Sequence, residues 1–256
     1  MVMKKKMIIS PALLFAFSFA LFSLAAINPS TVSASEIARI EEYAGSVSLY
    51  EKSLDKTAPV RMKGRSLQFG DRVIVPEGAW ARLAYPDGSR VLLKERTELL
   101  LEEEKLVSLA KGRAFFRMLF QKMGRFSVRQ GNAVIGIKGT TFLVDTSGSK
   151  TEVFMKEGRV EVLAVKGQFK RYKRSIMDEF EKYREEGVRA LEEESAAFEE
   201  YKRQMEKEFI EYVKAFEIEA GRGVSIDGTE VRDVKIPESV MDEFRRFEES
   251  LDGAIR

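Results

Sequence analysis

Gly136-Ile-Lys-Gly-Thr-Thr-Phe-Leu-Val-Asp145, GIKGTTFLVD, is the stretch that decides how the middle of this chain folds. Two glycines three apart interrupt a run that otherwise reads as a strand. Glycine pairs can cradle an anion on backbone amides, but the helix that a phosphate loop normally feeds is missing here. The simpler reading is a tight strand-to-strand bend, where only glycine avoids a clash. On that reading Gly136 and Gly139 are structural, and Thr140 and Thr141 are ordinary strand residues.

Working outward, the sequence from Glu36 to Tyr172 consists of short apolar runs closed by turns. Gly45–Tyr50, Arg72–Val75, Trp80–Tyr85, Arg90–Leu93, Leu106–Ala110 and Arg113–Arg117 read as strands. Arg125–Arg129, Thr141–Val144, Glu152–Met155 and Arg159–Leu163 continue the series. The alternation in RFSVR and RVEVL puts one face inward and the other outward. Tyr85-Pro-Asp-Gly-Ser89 is a strong turn, with Asp87 and Gly88 at positions that suit them. Asp71, beside Gly70, has the same character. Such spacing predicts an all-β domain of sandwich, barrel or solenoid type over residues 36–172.

The first 34 residues have the layout of a secretory signal peptide: Lys4, Lys5 and Lys6, an apolar stretch from Met7 to Ile27, then small residues to Ala34. Cleavage and a periplasmic or extracellular location are expected. The alternative is an inner-membrane anchor formed by residues 7–27, and membrane contact is expected only in that case. The chain has no cysteine and no histidine, which excludes disulfides, thiolate metal sites, a lipid-anchored cysteine and histidine-based triads.

Without the leader, residues up to Tyr172 carry 25 basic and 17 acidic side chains, and the remainder carries 15 and 24. The two parts therefore attract each other, within or between molecules. With no overall basic excess, nucleic-acid binding is not expected.

At about Lys173 the period changes. Ile176, Phe180, Tyr183, Leu191, Phe198, Tyr201, Met205, Phe209, Tyr212 and Phe216 fall at steps of three and four within a highly charged sequence. A charged amphipathic helical segment is expected over 173–221, as one long helix or a hairpin, with self-association through a coiled coil as one outcome. Residues 222–256 read as a small β-hairpin around Asp227-Gly228 and a terminal helix opened by Pro237, with Val240, Phe244, Phe247 and Leu251 on one face.

Several segments share a resemblance. FGDRVIVPEGAWARLAYPDGSRVLLKERTEL (Phe69–Leu99), LAKGRAFFRM (Leu109–Met118), GRFSVRQGNAVIGIKGTTFLVD (Gly124–Asp145) and KEGRVEVL (Lys156–Leu163) resemble the FecR domain family, in family order. Gln130-Gly131 departs from the family's usual Thr-Pro. The resemblance implies an all-β, solenoid-like domain on the outer side of the cytoplasmic membrane, with a binding rather than catalytic role. Its best-known members relay signals from an outer-membrane receptor to a sigma factor. With only Met1–Lys6 ahead of the apolar stretch, their cytoplasmic half is not expected here.

No residue set points to catalysis, a cofactor or a metal. Asp71 and Asp87 sit at turns, and three adjacent glutamates, Glu102 to Glu104, cannot all face one point. From Lys105 to Val144 there is no acidic residue. Arg113, Arg117, Lys122, Arg125 and Arg129 therefore form the candidate interaction face. Its expected partner is the protein's own acidic helices, an envelope protein or an anionic envelope polymer. The expected function is an envelope interaction module for sensing or scaffolding. The alternatives are a structural coiled-coil protein and, behind it, a carboxylate-based glycan-active enzyme.

Overall fold

A computed structural model describes residues 36–103, 105–119, 126–137, 139–172 and 210–252. The signal-peptide expectation for 1–34, the helical expectation for 173–209, and Lys122 and Arg125 lie outside the described residues.

The strands, numbered along the chain, begin with β1 (Ala38–Ala44), β2 (Ser48–Glu51), β3 (Lys56–Pro59), β4 (Arg65–Leu67) and β5 (Arg72–Val75). They continue with β6 (Trp80–Ala84), β7 (Arg90–Leu93), β8 (Thr97–Glu103), β9 (Leu106–Lys111) and β10 (Arg113–Met118). Then come β11 (Phe126–Gln130), β12 (Ala133–Ile137), β13 (Thr140–Asp145), β14 (Thr151–Glu157) and β15 (Arg159–Ala164). The last are β16 (Phe169–Tyr172), β17 (Ile210–Val213), β18 (Ala215–Glu219), β19 (Gly223–Asp227) and β20 (Glu230–Val234), followed by helix α1 (Glu238–Asp252).

These strands form two sheets. Sheet A runs β17-β16-β20-β19-β14-β13-β10-β7-β6-β1-β4, and sheet B runs β18-β15-β12-β11-β9-β8-β5-β2-β3. One buried core is built from the inward faces of both. In β10 Ala114, Phe116 and Met118 point inward, and in β11 Phe126 and Val128 do, while the residues between them point outward. Phe116 stacks on Phe142 with ring centroids 4.8 Å apart, tying neighbouring strands of sheet A within that core.

The opening stretch is where the chain passes from sheet B to sheet A. Gly139 lies between β12 and β13 with φ +64°, a conformation that favours glycine. A second glycine lets the corner close: a Cβ on Gly158 (φ +80°) would sit 2.6 Å from the Gly139 carbonyl oxygen. Gly136 is different and corrects the expectation of a turn. It lies inside β12, buried, opposite Ser127 of β11 and Glu161 of β15.

The larger correction concerns residues 210–219. They are strands, not the end of a helix. β18 pairs with β15 (Val162 opposite Phe216, Val160 opposite Ile218), and β17 pairs with β16. In AFEIE the alternation buries Phe216 and Ile218 and exposes Glu217 and Glu219, a period of two that outweighs the three- and four-residue spacing of Tyr212 and Phe216. The hairpin β19–β20, joined through Asp227 opposite Glu230, adds to sheet A through β14. The C-terminal strands therefore complete the sandwich rather than follow it.

Candidate interaction surface

Alternation also decides what decorates the outside of the sandwich. On sheet A the outward positions of β10, β13 and β14 carry Phe115, Leu143 and Phe154, too much apolar surface to leave in water. Helix α1 covers them. Pro237 precedes its first turn, where a missing N–H is tolerated, and accepts from Val240 N and Met241 N at 3.0 and 3.2 Å. Val240, Phe244, Phe247 and Leu251 recur at helical spacing, so one face of the helix is apolar. That face packs on Phe115, Leu143 and Phe154, with Leu92, Val234 and Ile236 at the margin. Phe115 meets Phe244 edge-on, centroids 5.3 Å apart, and lies 5.6 Å from Phe247. Burying each such side chain contributes about 1.5–3 kcal/mol.

Charge sets the helix in register. Glu243 accepts from Arg113 Nη1 at 2.6 Å, and Arg113 also reaches Asp145 at 2.8 Å. Glu248 pairs with Lys156. Near the other end of the helix, Arg82 donates to the Ser250 carbonyl at 3.0 Å, satisfying an oxygen in the last turn, which lacks intrahelical donors. The same guanidinium donates to Glu41 at 3.0 Å and Glu42 at 2.6 Å, and its side chain is only 5% exposed. Glu42 is also bound by Lys63 at 2.9 Å. That hydrogen bond, foremost, holds the Glu42 carboxyl below its ordinary range; partial burial opposes it and the charge of Arg82 adds to it.

Beside the helix, toward β6, the covering stops. A cleft of about 180 Å³ opens there, with Trp80, Leu92, Phe115 and Phe247 as its apolar lining. Arg82, Lys94 and Arg246 bring positive charge to it, against the one carboxylate of Glu243. Lys94 reaches Glu243 at 3.9 Å, a loose pair because Arg113 already holds that carboxylate.

The sequence-derived basic face is not one face. Arg113 and Arg117 project outward from sheet A, Arg113 onto the helix and Arg117 into solvent. Arg129 projects from the other side of the sandwich, from sheet B, where it meets Glu102 at 2.5 Å. Outward positions on strands of different sheets cannot converge. The two turn aspartates hold backbone. Asp71 accepts from Lys52 N at 3.1 Å and Gln68 N at 2.9 Å. Asp87 accepts from Ser89 N at 2.9 Å and Ser89 Oγ at 2.8 Å, next to Gly88 at φ +92°.

Sequence reasoning missed Trp80, Lys94 and Arg246. The signal available was the alternation of WARLA, which places the lone tryptophan and Arg82 outward on one strand. Among the described residues no group of three or more acidic side chains is placed to hold a metal ion. Burial, and then the charge of Asp87, pushes the Tyr85 phenol far above its usual range. No helix among the described residues is long and apolar enough to cross a membrane.

Fold and surface together define an all-β sandwich with a docked helix, whose candidate site is a contact surface. Residues 71–161, from the turn before β5 into β15, match the family model described as FecR protein. Two crystal structures of a candidate anti-sigma factor from Parabacteroides distasonis ATCC 8503, at 1.65 and 2.50 Å resolution, are similar at 18% identity and a TM-score of 0.41. Each match covers 64% of this chain and 59% of that one, so the chain spans about three fifths of the length of those structures. No curated protein matches the chain.

Proposed function

We propose that this chain is an exported, non-catalytic FecR-type binding module of the cell envelope, working in signal sensing or scaffolding through the outer face of sheet A. The observation that carries this reading is the cleft at the edge of α1, where apolar and cationic side chains stand open beside a face that already holds an acidic amphipathic helix. A face that recognises such a helix within its own chain has the chemistry to recognise an acidic, apolar segment of another protein. The solenoid-like winding implied by the family resemblance belongs to this reading. Its support is the chain's repeated passage between the sheets, with parallel pairing of β9 with β11 and of β16 with β20.

The absence of cysteine makes the test simple, since any introduced thiol is unique. Glu249→Cys places one on an exposed position of α1, next to Ser250 at the rim of the cleft, and Arg129→Cys places one on the outer face of sheet B. Each full chain carries a thiol-directed cross-linker into envelope extract. Defined adducts from position 249 and none in common with position 129 are expected. The same adducts from both positions, or none from either, would sink the proposal.

A further inference from the structure

We propose that the cleft between α1 and β6 binds the C-terminal residue of a partner polypeptide, with an apolar side chain against Trp80 and Leu92 and the terminal carboxylate on Lys94. This rests on the binding-module reading and names the chemistry of its partner.

Size comes first. Pockets for cofactors and drug-like ligands run to ~300–1,000 Å³, whereas this cleft holds about 180 Å³, enough for one side chain. Its lining is that of an anchor site: an indole, a leucine and two phenylalanine rings, continuous with the cluster that already takes in Phe244. An apolar anchor alone would explain Trp80 and Leu92 but not the charge beside them.

The charges are unequal in commitment. Arg82 is held by Glu41, Glu42 and the Ser250 carbonyl, so it serves as a fixed wall. Glu243 is held by Arg113 at 2.6 Å, which leaves Lys94 at 3.9 Å from its other oxygen and 42% exposed. An incoming carboxylate takes the Lys94 ammonium without stripping a good partner from it, and Arg246 adds positive potential on the helix side. An apolar group with one carboxylate directly attached is what the C-terminal residue of a polypeptide presents.

Trp80 is the only tryptophan in the chain, so indole fluorescence of the whole protein reports this cleft alone. The probes are acetyl-Ala-Phe with a free carboxylate, the same peptide amidated, and hexanoate. A saturable change with the free acid is expected, with binding at least about fivefold weaker for the amide and for hexanoate. Lys94→Gln is expected to weaken the free acid about fivefold, the size of one exposed charge contact. Arg245→Gln, where Arg245 pairs with Asp242 elsewhere on the helix, is expected to change nothing. No saturable response, equal binding of acid and amide, or hexanoate binding as well as the peptide would overturn the proposal. Cross-links from position 249 that persist after such a failure would leave the binding-module reading standing; their absence as well would remove both.

Discussion

At the outward positions of sheet A stand Leu92, Phe115, Leu143 and Phe154; at those of sheet B stand Glu98, Leu100, Glu102 and Arg129. Both sheets follow the same alternation and feed the same core. The difference lies only in what the second set of positions carries. On sheet A it makes a surface that water cannot satisfy, so the chain folds its own helix onto it. On sheet B it makes paired charges, Arg72 with Glu98 at 2.8 Å and Arg129 with Glu102, which water can satisfy. A face that must be covered is thus written in the residues that the core does not use.

Substitutions can break this contrast, and the largest effect is expected at the helix. Phe244→Ala removes a fully buried ring and should destabilise the chain by about 3–5 kcal/mol, read by urea unfolding; Leu100→Ala, half-buried on sheet B, should cost less than about 1 kcal/mol. Comparable losses would mean that sheet B is covered as firmly as sheet A. Next, Arg82→Met takes the shared buried donor from Glu41, Glu42 and the Ser250 carbonyl, leaving Glu41 with Arg90 and Glu42 with Lys63, and should cost about 2 kcal/mol, with faster amide exchange in the last turn of α1. Stability unchanged by that variant would deny Arg82 its bridging role.

A smaller contrast separates two arginines that look alike in the sequence. Arg113→Gln releases both Glu243 and Asp145 and should cost about 1 kcal/mol, while Arg129→Gln, at an exposed pair, should stay within about 0.5 kcal/mol. Equal values would erase the distinction between the faces. The smallest effect is a pH dependence. Glu42's carboxyl is held below its ordinary value, so its contribution is complete above the unfolded-state pKa of about 4.3 and lost as pH falls through the lower folded value. Lys63→Gln should flatten the acid side of the stability profile, and an unchanged profile would assign that loss to other carboxylates.

Much of the fold was legible. The strand alternation, the turns at Asp71 and Asp87, the hairpin at Asp227-Gly228 and the amphipathic helix after Pro237 all follow from local rules. The attraction between basic and acidic parts of the chain also has a local form, with Glu243 and Glu248 set on Arg113 and Lys156. Other features depend on partners distant in sequence. AFEIE fits either period until β15 lies beside it, and nothing near Glu102 says that Arg129 faces it across the sheet. The grouping of Arg113 with Arg129 failed because a charge run in sequence says nothing about which sheet each strand joins. The cleft escaped notice for the same reason: Trp80 of β6, Lys94 just past β7 and Phe247 of α1 meet only in the folded chain.

The central claim is that the outer face of sheet A is a binding surface, already satisfied in part by α1. Ending the chain after Lys235 removes the helix and leaves every strand in place. Melting followed alongside sedimentation and uptake of an apolar-surface dye tests the claim directly. The shortened chain is expected to melt at a lower temperature and to bind the dye or self-associate through Phe115, Leu143 and Phe154. A shortened chain that stays monomeric, excludes the dye and melts where the full chain does would contradict it.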